Sequence, residues 1–197
     1  MTGPRNQPQY QVRFGFGARQ ARELSPGADV LVWADALANG SGRVADLPGT
    51  FSILAAGTGA APAVANWVLA QQVARSRRLT VAVIAAGDSQ SGSQGDLQSG
   101  SQGDLQGGPQ GGSEGGFTVD GLLAAGAIID ALADAGVDYI SPEAASAVAA
   151  FTGLKSAHDH LLSASVAGQL RVQAFGRESL DAAIVSNAAA RFEIVRE

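Results

Sequence analysis

The sequence predicts an α/β fold: a three-layer α/β/α arrangement with a mostly parallel sheet and a helical C-terminal half. Three observations carry this. Short apolar runs recur between residues 29 and 86 without polar alternation, as in strands covered on both faces. Turn residues and helical stretches separate these runs, the alternation that gives helices on both faces of a parallel sheet. From Thr118 onward the pattern is helical almost to the end of the chain.

Each element has a local reason. Residues 1–9 are polar and carry two prolines, which reads as a loose tail. Tyr10–Phe14 alternates like a short strand, and Gly15-Phe-Gly17 turns into a helix over Ala18–Leu24, stopped by Ser25-Pro-Gly27. Asp29–Asp35 is an apolar run bounded by charge, the pattern of a buried strand. Residues 38–49 read as a loop, and Phe51–Ala56 as the next strand. Gly57-Thr58-Gly59 forms the turn, and Pro62 opens a helix reaching about Arg75, where its missing N–H is harmless. Leu79–Ala86 is a further buried strand.

Residues 89–116 differ. Ser91-Gly-Ser-Gln-Gly-Asp-Leu-Gln98 is repeated at once as residues 99–106, and a Gly/Gln/Ser tract follows. Such a unit has nothing to bury, so a flexible low-complexity surface insert is expected within a single domain spanning 10–197. The helical half then comprises Val119–Ala135, a helix started by Ser141-Pro142, and helices over about 153–164, 166–175 and 178–187. Phe192–Val195 closes as a strand.

Bulk properties exclude several classes. A net charge of −5 argues against a nucleic-acid partner, which would require a basic stripe. With no cysteine, thiolate metal sites, disulfides and a cysteine nucleophile are ruled out. The N-terminus lacks a signal peptide's apolar core, and no apolar run is long enough for a bilayer. A soluble cytoplasmic protein without a membrane partner is expected. The Ala-rich helical surface is compatible with a homodimer.

The order of several segments resembles the 2-phosphosulfolactate phosphatase (ComB-like) family. Tyr10–Gly17 is similar to its opening segment, Asp29–Leu37 to its strand ending in Asp, and Ala63-Val-Ala-Asn-Trp-Val68 to the helix after its Asn-rich turn. Val81–Asp88 is similar to its strand ending in Ala-Gly-Glu, and Thr118–Ile128 to its Gly-Ala-Ile helix. Ser141–Phe151 and Ser163-Ala-Ser165…Gly168 resemble its later helices. The resemblance implies a shortened member acting on a small acidic phosphomonoester with Mg²⁺ and, by the family's name, a place in coenzyme M biosynthesis. Departures accompany it. Asp35 is followed by Ala-Leu-Ala rather than by an Arg, and family polar positions fall on Gly15, Ala60, Gly121, Ser179 and Asn187.

The candidate chemistry follows from residue type and placement. Phosphate-monoester hydrolysis needs a cation, a placed water and donors for the phosphoryl oxygens. Asp35 and Asp88 stand at predicted strand ends, where two carboxylates with water and substrate phosphate suffice for Mg²⁺. Asp35 and Asp120 are the catalytic candidates, Asp120 as a further ligand or as the group positioning the attacking water. Each Asp is equally accounted for as a turn or cap residue. Gly57, Thr58 and Gly59 are candidate substrate-binding residues that would cradle an anion by backbone N–H groups and the Thr58 hydroxyl. A tight strand-to-helix turn explains them too. Ser165 joins them through the family pattern, although small residues there also permit close helix packing. His158 and His160, two apart on a helix, point away from each other and are expected to be solvated. Arg13, Arg19 and Arg43 are the available cations. The alternative is a catalytically degenerate relative retained as a binding or scaffold protein.

Overall fold

The computed structural model describes residues 3–37, 42–87 and 116–197, except for the side chains of residues 42 and 43. Asp88, nearly all of the low-complexity insert and the Arg43 side chain lie outside them.

Five strands form one sheet: β1 (Val12–Phe16), β2 (Val30–Ala34), β3 (Ser52–Ala56), β4 (Val81–Ala85) and β5 (Phe192–Arg196). Their order is β1-β4-β2-β3-β5, and every neighbouring pair is parallel except the antiparallel β3–β5. The helices are α1 (Gly17–Leu24), α2 (Gly42–Ala45), α3 (Ala61–Arg75), α4 (Val119–Asp134), α5 (Pro142–Leu154), α6 (His158–Ala164), α7 (Val166–Phe175) and α8 (Arg177–Asn187). The α/β class and the helical C-terminal half are as expected.

Side-chain alternation divides the core into two layers. Val30, Val32 and Ala34 of β2 face one apolar cluster with α3, α4 and α5, whereas Leu31 and Trp33 face a second with α1. A strand buried on both faces needs apolar residues at every position, which is why β2 and β4 read as continuous runs. At roughly 25 cal/mol per Å² of apolar surface removed from water, these faces supply the main driving force for folding.

Glycines set how closely the layers approach. A Cβ on Gly15 would stand 2.8 Å from Leu24 Cδ1 and 2.9 Å from Gln20 Cβ, so its absence lets α1 lie flat on β1. A Cβ on Gly126 would stand 2.3 Å from the Ala147 carbonyl oxygen, which brings α4 and α5 into backbone contact.

Two expectations need correction. Residues 3–9 are docked rather than loose: the buried Gln7 amide accepts from Phe14 N–H at 3.0 Å and donates to Phe14 C=O at 2.8 Å. Its side chain thus substitutes for a strand neighbour along β1, satisfying backbone groups at the sheet edge. Arg13 is not a surface cation. It is 5% exposed, and its Nη1 donates to the carbonyls of Leu24 (3.2 Å) and Pro26 (2.9 Å) at the C-terminal end of α1. A guanidinium there satisfies orphan carbonyls and complements the helix dipole.

The topology places a crevice. From β2 the chain moves to β3 on one side. Beyond β4 it continues through α4 to Ile140, which bridges to Val12 beside β1 on the other. β2 and β4 are neighbours whose onward connections diverge. Such a switch point opens a gap at the carboxyl ends of the two strands, where ligands bind in open α/β sheets.

Candidate functional site

Asp35 immediately follows β2 and so stands at the crevice. Its backbone N–H donates to Ala56 C=O at 3.0 Å, continuing the β2–β3 pairing by one residue. Its Oδ1 accepts from Leu37 N–H at 3.1 Å, an Asx-type contact that turns the chain away from the sheet. The side chain is buried, with 9% residual exposure of the residue.

Asp120 arrives from the other side. Thr118 is the N-cap of α4: its hydroxyl accepts from Gly121 N–H at 3.3 Å and donates to Ala86 C=O at 2.8 Å. One side chain thereby caps the helix and ties it to the end of β4. Gly121 makes the approach feasible, since a Cβ there would lie 2.3 Å from Ala86 O. Asp120, in the first turn, is carried inward until it is 1% exposed.

The electrostatics of Asp120 are unusual for a carboxyl. Burial, with a further contribution from the charge of Asp35, pushes its pKa up to about 6, against hydrogen bonds that favour the charged form. Its Oδ1 is buried without a hydrogen-bond partner. A buried orphan acceptor is costly unless a proton, a water or a cation completes it. The helix-start position favours the ionised form, and desolvation overrides it.

The two carboxylates border different hollows. Asp120 lines a cavity of about 280 Å³ together with Thr118 and the first residues of α7, Val166 and Ala167. Asp35 lines one of about 500 Å³ with Trp33, Asn187, Arg191 and Glu193. The charge of Asp35 still contributes to the raised pKa of Asp120, although the two do not line one common bowl.

The other candidates hold structural partners. Thr58 N–H donates to Asn187 Oδ1 at 2.7 Å, and Thr58 Oγ1 lies 3.0 Å from His158 Nε2. A Cβ on Gly57 would strike Asn187, and one on Gly59 would strike Ala188 C=O at 2.3 Å. The two glycines thus let the end of α8 pack on this turn. Ser165 is the N-cap of α7, accepting from Gly168 N–H at 2.9 Å and donating to Leu162 C=O at 2.8 Å. His158, expected to be solvated, is instead a half-buried link between Thr58 and Asp159. Of the surface arginines, Arg19 pairs with Glu23 along α1.

One cation was invisible in the sequence. Arg171 of α7 donates from Nη1 to Leu37 C=O at 2.8 Å, and from Nε to Ser179. This anchors a guanidinium beside the turn that follows Asp35.

The donor set can be weighed against Mg²⁺. That ion takes one or two carboxylates and completes its octahedron with water and substrate oxygens. Asp35 offers one such carboxylate at its hollow, whereas Asp120, with one buried oxygen lacking a partner, borders another. Among the described residues, no group of three or more His, Asp or Glu side chains could hold a metal on its own. Among them, too, no helix is long and apolar enough to cross a membrane. No family model matches the chain, and no curated protein matches it.

Proposed function

We propose that this chain is a Mg²⁺-dependent phosphomonoesterase acting on a small acidic phosphoester, as in the 2-phosphosulfolactate phosphatase-like reading. The observation that carries it is the buried Asp120 carboxyl, which has one orphaned oxygen and a pKa raised by burial and by the charge of Asp35, near the switch-point crevice. Asp35 would hold the cation, with Asp88 the further candidate ligand beyond the described residues. A Mg²⁺ ion held there would supply neutralisation of phosphoryl charge.

The chain's own residues supply the remainder. The Asp120 carboxylate, with a pKa of about 6, is a base matched to neutral pH and takes a proton from the attacking water as its oxygen adds to phosphorus. The ester oxygen departs with the bonding electron pair. The Arg171 guanidinium, anchored to Leu37 C=O, offers its remaining N–H groups to phosphoryl oxygens.

The second reading is a degenerate relative serving as a binding or scaffold protein. It is favoured by the sparse donor set and by the engagement of Thr58 N–H with Asn187. One experiment separates the two. Phosphoester hydrolysis is measured with Mg²⁺ and with EDTA, for the parent and for Asp35→Ala and Asp120→Asn, alongside melting temperature. The phosphatase reading expects Mg²⁺-dependent turnover, lost in both variants, and a Mg²⁺-induced rise in the parent's melting temperature. Absence of turnover and of any Mg²⁺ effect on melting leaves the scaffold reading.

A further inference from the structure

We propose that Thr58, His158 and Asp159 form a second, metal-independent reactive centre in which His158 activates the Thr58 hydroxyl for acyl transfer from small esters. The inference does not depend on the phosphatase reading. Its basis is a continuous hydrogen-bonded chain: Asp159 Oδ1 to His158 Nδ1 at 2.9 Å, and His158 Nε2 to Thr58 Oγ1 at 3.0 Å. With Nδ1–H donated to the carboxylate, Nε2 presents its lone pair to the hydroxyl, the tautomer that a general base requires.

Placement supports the chemistry. Thr58 lies in a strand–turn–helix segment between β3 and α3, flanked by Gly57 and Gly59. A nucleophile elbow uses the same location to expose a hydroxyl at the carboxyl edge of a sheet. Unlike the residue at such an elbow, Thr58 keeps a negative φ and carries no backbone strain. Thr58 is half-buried, so a substrate can reach it. A cavity of about 330 Å³ opens on the pair, with Phe151 as an apolar wall and Lys155 at its edge. Its size suits a compact ester rather than a lipid. Asp159 is 79% exposed, so its role is to orient His158 rather than to act as a strongly coupled buried partner.

The step balances as follows. Thr58 Oγ1 adds to the ester carbonyl carbon while its proton passes to His158 Nε2. The tetrahedral adduct collapses, the alcohol leaves with that proton, and an acyl-threonine remains. Water adds to this ester, again through His158 Nε2, releasing the acid and restoring the hydroxyl.

The test uses the full chain in EDTA. p-Nitrophenyl acetate hydrolysis and labelling by a fluorophosphonate are followed, with the adduct located by peptide mass spectrometry. Labelling is expected on Thr58, with hydrolysis and labelling lost by a hundredfold or more in Thr58→Ala and in His158→Gln. Thr58→Ser is expected to retain both, and Asp159→Asn to lose less than His158→Gln. Circular dichroism and melting temperature verify the fold of each variant. Failure to label Thr58 in the folded parent overturns the proposal. So does a label on another residue, or labelling indifferent to His158→Gln.

Discussion

The charge of Asp35 helps raise the pKa of Asp120, although the two border different hollows and belong to different segments of the chain, one leaving β2 and one entering α4. Desolvation of Asp120 is the larger cause, and the Asp35 charge adds to it. A fold gains nothing in stability from burying an orphaned carboxylate beside a second one. Thr118 and Gly121 bring the Asp120 carboxylate there, one tethering the helix start and the other allowing its approach.

The first prediction concerns pH. The Asp120 carboxyl ionises near 3.8 when exposed and near 6 in the fold. Between those values the folded state holds a proton that the unfolded state has released. Stability therefore declines as pH rises through that window and levels off above about 6, by up to about 3 kcal/mol. Asp120→Asn removes the ionisation. Its melting temperature at pH 7.5 is expected to exceed the parent's by on the order of 5 °C, with a flatter profile between pH 4 and 6. A variant no more stable than the parent at pH 7.5 would show that the carboxylate is already satisfied.

Arg171 yields the second. Its guanidinium is fixed by Leu37 C=O and Ser179, beside the turn that follows Asp35, where the proposed phosphatase would use it. Arg171→Met is expected to lower kcat/KM for a phosphomonoester tenfold or more. Arg171→Lys should recover only part, because an ammonium cannot span the same contacts. If kcat/KM is unaltered in Arg171→Met, the phosphoryl group is held elsewhere.

How much of this was legible in the sequence differs by residue. The strand ends that carry Asp35 could be read because an apolar run terminating in a charge has few other solutions. The cap at Ser141 is also local, bonded to an N–H three residues on, whereas Ser165, read as a substrate-binding candidate, proves to be a cap of the same kind. The docking of Gln7 was not legible, since polar residues near two prolines look like a tail until strand β1 supplies Phe14 as a partner. Nor was the engagement of Thr58, whose partners Asn187 and His158 come from the far end of the chain. Helical spacing indeed separates His158 from His160, but it says nothing of a third element that meets only one of them. Arg171 escaped for the same reason. Long-range pairings depend on strand order, and β4 inserted between β1 and β2 cannot be inferred from a sequence of strands and helices alone.

The third prediction uses two glycines with opposite surroundings. A methyl on Gly121 would stand 2.3 Å from Ala86 O, a backbone atom that cannot rotate away. Gly121→Ala must push the start of α4 off β4, weakening the Thr118 tether and opening the Asp120 environment to water. A loss of about 1–3 kcal/mol is expected, and with it a fall of the Asp120 pKa toward its ordinary value, measurable by carboxyl NMR titration. Gly153, near the end of α5, has no atom within 4 Å of its notional Cβ. Gly153→Ala should therefore stabilise the protein by up to about 1 kcal/mol, through helix propensity alone. The contrast separates steric contact from propensity: were both substitutions to stabilise, α4 would not be in backbone contact with β4, and the burial of Asp120 would need another cause.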